Sequence, residues 1–310
     1  MPWIAEGAEA PWGEDASWGG EFGTVPDGGL RDVAVVDGGA VAVVTDEQNP
    51  GGVSIGNVSS AIGQVDVRDG GVLEAFSEVG DEDSPENAIV VGMSGVGTLN
   101  VEGGGAAISR TLTSGGRAGG GIFLSGDASV SVDVSSTLDS ALVVNGPDVD
   151  FSTGTLSMGA NHTYTQAFTS GAASTLNVAG SATIGGSLHL DFSAAPAPAA
   201  GDTFDLIQVG GNVLGAFNQV SSTGAGLTSG QQFVVNNVAS NNDRIVQAEL
   251  INALVLQVNR DDGTMSILNP TGASIDFDAY QIESELGSLN AAGFAGLASQ
   301  GEAGWDPLSS

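Results

Sequence analysis

Between residues 33 and 190 the chain is a succession of short apolar or alternating runs separated by Gly, Asn, Asp or Ser. Gln64-Val65-Asp66-Val67, Thr98-Leu99-Asn100-Val101, Ser129-Val130-Ser131-Val132-Asp133-Val134 and Thr175-Leu176-Asn177-Val178 alternate polar and apolar residues with period two. Each such run places one face in a core and the other in solvent, as a half-buried strand does. Val33-Ala34-Val35-Val36 and Val41-Ala42-Val43-Val44 are continuous apolar runs of strand length. Gly recurs too often for helix to propagate, so the pattern predicts strands throughout and no helix before Glu283.

The runs repeat. Gly63-Gln64-Val65-Asp66-Val67-Arg68-Asp69-Gly70-Gly71 returns 34 residues later as Gly97-Thr98-Leu99-Asn100-Val101-Glu102-Gly103-Gly104-Gly105, and Thr98-Leu99-Asn100-Val101 returns verbatim 77 residues on at Thr175. Self-similarity of this kind marks a solenoid, in which no repeat buries its apolar face alone. An antiparallel sandwich also yields many short strands; the double Gly in fixed register favours the solenoid. The expected fold is therefore all-β, a right-handed parallel β-helix followed by a small antiparallel β-sandwich-like C-terminal domain. Residues 1–30, with Trp3, Trp12 and Trp18, form an expected aromatic cap, and residues 31–192 the solenoid. The Pro/Ala stretch from Ser193 to Gly201 opens a segment, residues 193–250, of solenoid end and capping strands. Residues 251–310 form the sandwich, its first hairpin built from residues 254–258 and 264–268 around Asp262-Gly263.

Composition narrows the chemistry. A net charge of −31, with 37 acidic residues against six Arg and no Lys, repels nucleic acid and anionic lipid. Zero Cys removes disulfides, thiol catalysis and Cys-ligated metal. No run approaches the roughly 20 apolar residues of a membrane helix, so no membrane insertion is expected. The start Met1-Pro2-Trp3-Ile4-Ala5-Glu6 lacks the basic and apolar regions of a signal peptide. A chain without Lys or Cys and rich in Gly, Ser, Thr and Asn suits the cell exterior, and export and anchoring signals are expected outside these residues.

Gly154-Thr155-Leu156-Ser157-Met158-Gly159-Ala160-Asn161-His162-Thr163-Tyr164-Thr165-Gln166 resembles the strand repeat of bacterial autotransporter passenger domains. Ser174 to Leu188, Gly201-Asp202-Thr203-Phe204-Asp205-Leu206-Ile207 and Gly215-Ala216-Phe217 continue the likeness to a passenger's last coils and capping element. The chain is also similar to anchor-sorted surface repeat proteins of environmental bacteria, and the hairpin with Asn269-Pro270-Thr271-Gly272 and Ile275-Asp276-Phe277 is similar to a lamin-tail-type sandwich. What the resemblance implies is a secreted, displayed β-helix with adhesive or structural duty. No membrane β-barrel follows in the sequence, which departs from the autotransporter pattern.

Candidate chemistry is sparse. His162 and His189 are the two side chains that titrate near neutrality; His189, between Leu188 and Leu190, is expected on the solvent face of a strand, and His162 in a structural turn. Gly92-Met93-Ser94-Gly95 is not a nucleophile elbow. Asp66 with Asp69, and Asp148 with Asp150, are the carboxylate pairs an inverting glycoside hydrolase would need to hold at the right separation. Asp81, Glu82, Asp83 and Glu86 form the densest acidic cluster and the candidate Ca²⁺ ligands; Asp261-Asp262 and Asp276 with Asp278 are others. No other cofactor is expected. The expected function is a secreted or cell-surface structural, adhesin-like protein without catalytic activity, with glycans or cell-surface components as partners. The alternatives are a β-helical polysaccharide-processing enzyme and a glycan-binding module.

Overall fold

The computed structural model describes residues 9–14, 18, 26, 33–75, 87–115, 119–169, 171–259, 261 and 263–275. The chain divides into two compact units, Met1–Thr271 and Gly272–Ser310. The described residues contain strands and turns, with no α-helix. In chain order the strands begin with β1 (Glu9–Pro11), β2 (Val33–Val36), β3 (Gly38–Val44), β4 (Glu47–Gln48), β5 (Gly52–Ile55), β6 (Ile62–Val67), β7 (Val72–Ala75) and β8 (Ala88–Val91). There follow β9 (Val96–Val101), β10 (Ala106–Ser114), β11 (Gly121–Ser125), β12 (Ser129–Leu138), β13 (Ala141–Asn145), β14 (Asp150–Met158), β15 (Thr163–Thr169), β16 (Leu176–Val178) and β17 (Ala182–Ile184). The last are β18 (Ser187–Ala194), β19 (Thr203–Val209), β20 (Val213–Gly215), β21 (Gln219–Thr223), β22 (Gln231–Ser240), β23 (Asp243–Asn252), β24 (Val255–Val258) and β25 (Met265–Leu268).

Two large sheets take these strands by turns. A nine-stranded sheet runs β1-β3-β6-β9-β11-β13-β15-β18-β21, and a fourteen-stranded sheet runs β2-β5-β8-β10-β12-β14-β16-β19-β23-β22, with β4, β7, β17 and β20 beside this path. Pairing is parallel throughout both sheets until β19–β23 and β23–β22, which are antiparallel. Parallel pairing continues past Pro196 and Pro198 as far as Thr223, so the change in composition there is not a change in pairing.

Period-two alternation becomes columns once strands stack in register. In the nine-stranded sheet Ala42, Val65, Leu99, Ile122, Leu142, Tyr164 and Leu188 are successive partners, all buried. Two residues along, Val44, Val67, Val101, Leu124, Val144, Gln166 and Leu190 form a second buried column. Each aliphatic side chain so buried contributes about 1.5–3 kcal/mol. The polar member is satisfied in place: the Tyr164 hydroxyl donates to Gln166 Oε1 at 2.7 Å, and Gln166 Nε2 donates to the Ala167 carbonyl at 3.1 Å. Burial pushes the Tyr164 phenol well above its ordinary pKa.

The 34-residue repeat is the strand register itself: Gly63, Gln64, Val65, Asp66 and Val67 pair with Gly97, Thr98, Leu99, Asn100 and Val101. A Cβ on Gly97 would lie 2.2 Å from the Ile55 carbonyl oxygen and 2.4 Å from the Gly92 nitrogen, so only Gly admits the neighbouring backbone. The 77-residue repeat is a likeness without structural equivalence. Thr98 to Val101 belong to the nine-stranded sheet, whereas Leu176–Val178 belong to the fourteen-stranded one.

Near the beginning of the chain, Trp12 and Trp18 are buried with ring centroids 4.7 Å apart, edge to face, and Trp18 Nε1 donates to the Trp12 carbonyl at 2.8 Å. Trp3 lies outside the described residues. β24 and β25 form a separate two-stranded antiparallel sheet; the sandwich expected over residues 251–310 depends largely on residues 276–310, which lie outside the described residues.

Candidate functional site

The candidate Ca²⁺ ligands Asp81, Glu82, Asp83 and Glu86 lie outside the described residues, as do Asp262, Asp276 and Asp278. Among the described residues no three His, Asp or Glu side chains converge to hold a metal ion. Asp66 projects from the outer face of β6 yet is buried, and its Oδ1 accepts from Gln64 Nε2 at 2.8 Å and Asn100 Nδ2 at 2.7 Å. Asp69 stands in the following turn with φ 56°, its carboxylate 4.0 Å from the Arg68 guanidinium, which also binds Glu9 at 2.8 Å. That Glu9 hydrogen bond raises the Arg68 pKa above its ordinary value. Asp148 and Asp150 are exposed on either side of buried Val149.

The two histidines occupy opposite environments. His189 is half-buried on β18, with Nδ1 3.0 Å from Ser221 Oγ and Nε2 3.1 Å from Thr223 Oγ1 on β21. Ser221 Oγ also donates to the Leu188 carbonyl at 3.3 Å. With the Ser221 proton given to the Leu188 carbonyl, Nδ1–H is the donor to Ser221 Oγ. Beside it, the Ser193 hydroxyl and amide hold the Asp191 carboxyl below its ordinary pKa. His162 stands in the turn between β14 and β15 with 1% of its surface exposed, and among the described residues neither ring nitrogen has a hydrogen-bond partner within reach. Burial pushes its pKa down to about 4, against the opposing pull of the Ser140 backbone and the Asp139 carboxylate.

A concave site sits on the outer face of the fourteen-stranded sheet. Here the outward positions Ser131, Ser152, Asn177 and Gln208 are register partners on β12, β14, β16 and β19. Neighbouring strands stand about 4.8 Å apart, so the four side chains form a polar ladder across the strands. A β-bulge between Val132 and Ser135 pushes Asp133 out at one end, and Asp243, bound through Oδ2 by Gln208 Nε2 at 2.6 Å, stands at the other. The hollow beside the ladder has a volume of about 480 Å³.

Small residues line the hollow beside the ladder. A Cβ on Gly154 would lie 2.4 Å from the Val134 carbonyl oxygen and 2.5 Å from that of Asp133, so the bulge closes against bare backbone. Beyond it the lining passes to Val178, Ala179 and Gly210, small residues at the ends of β16 and β19. Beneath it Ser136 and Thr153, both buried, are joined at 3.0 Å, and Thr153 Oγ1 donates to the Thr155 carbonyl at 3.0 Å.

The groove draws on residues spread from 131 to 243. The alternation of Ser129 to Val134 and of Thr175 to Val178 marks Ser131 and Asn177 as outward, but nothing local in the sequence makes them neighbours of Gln208 and Asp243.

Comparison with protein-family models, curated proteins and solved structures returns no match for this chain. No helix among the described residues is long and apolar enough to cross a membrane.

Proposed function

We propose that the chain is a right-handed parallel β-helix acting as a secreted or cell-surface structural and adhesive scaffold, with no catalytic activity of its own. Strands that alternate between two parallel sheets support the helical winding, and parallel crossovers are right-handed in nearly all proteins. The observation that carries the functional reading is in-register stacking of outward polar positions, Asp66 on Asn100 and Ser131 through Gln208. Such stacking turns short alternating runs into outward polar ladders that cross several strands. The similarity to autotransporter passengers supports secretion and display. Ser221 and His189 form part of the same surface: with the serine proton committed to Leu188, the pair is a static ladder contact and not a base poised against a nucleophile.

The test is to couple the purified chain to beads and measure retention under flow on polysaccharide-coated and cell-coated surfaces, while assaying the effluent for new reducing ends. Retention above that of uncoupled beads without new reducing ends is expected. Release of sugar ends, or retention no greater than that of bare beads on every surface, would overturn the proposal.

A further inference from the structure

The groove on the fourteen-stranded sheet is rich in acceptors, several of them left unused by the protein's own contacts. Among the described residues nothing hydrogen-bonds the side chains of Ser131 and Ser152 or the carboxylate of Asp133. Asn177 spends one amide proton on the Thr175 carbonyl at 3.5 Å, at the limit of a hydrogen bond. The Gln208–Asp243 bond at 2.6 Å fixes both side chains and leaves Gln208 Oε1 and Asp243 Oδ1 free to accept. No Arg lines the hollow, and the chain carries a net charge of −31. The two carboxylates give the surface an excess of acceptors, so positive charge on a ligand is favoured and negative charge is rejected.

Geometry adds the shape. Ser131, Ser152, Asn177 and Gln208 stand one strand apart in a line perpendicular to the strands. That line repeats at about 4.8 Å, a spacing close to the advance per unit of an extended sugar chain. Beside it the lining of the hollow is small, Gly154, Ala179 and Gly210, a shallow floor on which pyranose rings can lie. Asp133 and Asp243 at the two ends stand where cationic groups would be held.

Building on the adhesive reading above, we infer that this groove binds a linear glycan bearing free amino groups, laid along the stacking direction of the strands. Hydroxyls pair with Ser131, Ser152, Asn177 and Gln208, and ammonium groups with Asp133 and Asp243. Bound this way, a short amino-sugar oligomer crosses four strands, and uronate polymers are excluded by the same two carboxylates.

The experiment is isothermal titration of the full chain with three hexamers in mildly acidic buffer: fully deacetylated glucosamine, N-acetylglucosamine and galacturonate. The glucosamine hexamer is expected to bind most tightly, the acetylated one at least tenfold more weakly, and the galacturonate one not at all. Asp133→Asn combined with Asp243→Asn removes two of the 37 acidic residues, so attraction to overall charge would barely change, whereas the groove predicts a loss of tenfold or more. Asn177→Lys, an exposed change that puts a cation in the ladder, is expected to abolish binding while leaving the unfolding midpoint within a degree or two. Native-like affinity in both variants, equal affinity for the galacturonate hexamer, or no binding of the glucosamine hexamer would each overturn the groove. In the bead assay, retention that persists alongside any of these results leaves the adhesive scaffold standing; loss of retention condemns it separately.

Discussion

The parallel stretch from β2 to β13 and the end built by β15 to β23 fill their interiors by different means. In the first, the buried columns of the nine-stranded sheet are mainly Ala, Val, Leu and Ile, one above another. In the second, four phenylalanines bridge the two sheets. Phe168 and Phe192 stack at 4.2 Å and 3°, Phe192 and Phe233 at 5.7 Å and 6°, and Phe204 meets Phe168 and Phe192 edge-on at 4.9 and 5.3 Å. The physical reason is that a column of small aliphatics has no natural end. Each parallel strand leaves a fresh edge and a fresh half-covered layer of side chains. Ending the stack requires larger groups to cover the last layer and a change of pairing, which β23 and β22 supply by running antiparallel to β19. Rings contribute on two counts, large buried area and favourable edge-to-face geometry.

Three measurements would break or sharpen this contrast. The largest effect is expected from Gly97→Val in the parallel stretch, because the new Cβ would fall within 2.2 Å of the Ile55 carbonyl oxygen. Backbone on both sides cannot yield, so a loss above about 5 kcal/mol and failure to fold are expected; a variant with native circular dichroism and an unfolding midpoint near that of the native chain would refute the close-packed register.

Next comes the aromatic end. Phe192→Ala should cost about 4 kcal/mol, since Phe192 touches all three other rings. Leu99→Ala in the aliphatic column should cost about 3 kcal/mol. The discriminating readout is amide exchange: Phe192→Ala should loosen β22 and β23 before β6 and β9, and Leu99→Ala the reverse. Uniform loosening in both would show that the two regions unfold as one.

The smallest effect concerns His162, whose pKa in the folded chain, about 4, lies below the ordinary 6.5. Between those values the unfolded chain takes up a proton that the folded chain refuses, so stability falls as pH drops from 6.5 to 4. Over the tested window, from pH 6.5 to 4.5, the loss is about 2 kcal/mol, and it fades to nothing by about pH 7.5. His162→Leu should flatten denaturant midpoints between pH 6.5 and 4.5; an unchanged slope would assign the acid lability to other groups.

How far the sequence reached depends on which residues are asked about. The strands over Val33–Val36, Ile62–Val67, Val96–Val101 and Leu176–Val178 follow from alternation and Gly punctuation alone. The pairing of β6 with β9 is written in the 34-residue repeat, since neighbouring strands under the same packing constraint carry the same pattern. Thr98-Leu99-Asn100-Val101 and Thr175-Leu176-Asn177-Val178 carry one pattern into two different sheets, because alternation specifies faces and not neighbours. The burial of His162 was equally silent: the turn is local, but the covering layer comes from chain distant in sequence.

What the sequence determined by itself was therefore local and compositional: strands rather than helices, small aliphatics inward, polar and acidic groups outward, and a charge that repels polyanions. These follow from backbone preference, side-chain size and charge, which each residue carries wherever it sits. The tertiary structure alone decided which outward residues share a ladder, where the bulge at Asp133 and the small residues Gly154, Ala179 and Gly210 leave a groove, and how Asp243 comes to face Gln208. Those arrangements arise from strand register between segments up to about a hundred residues apart, and register is fixed by the packing of the whole stack.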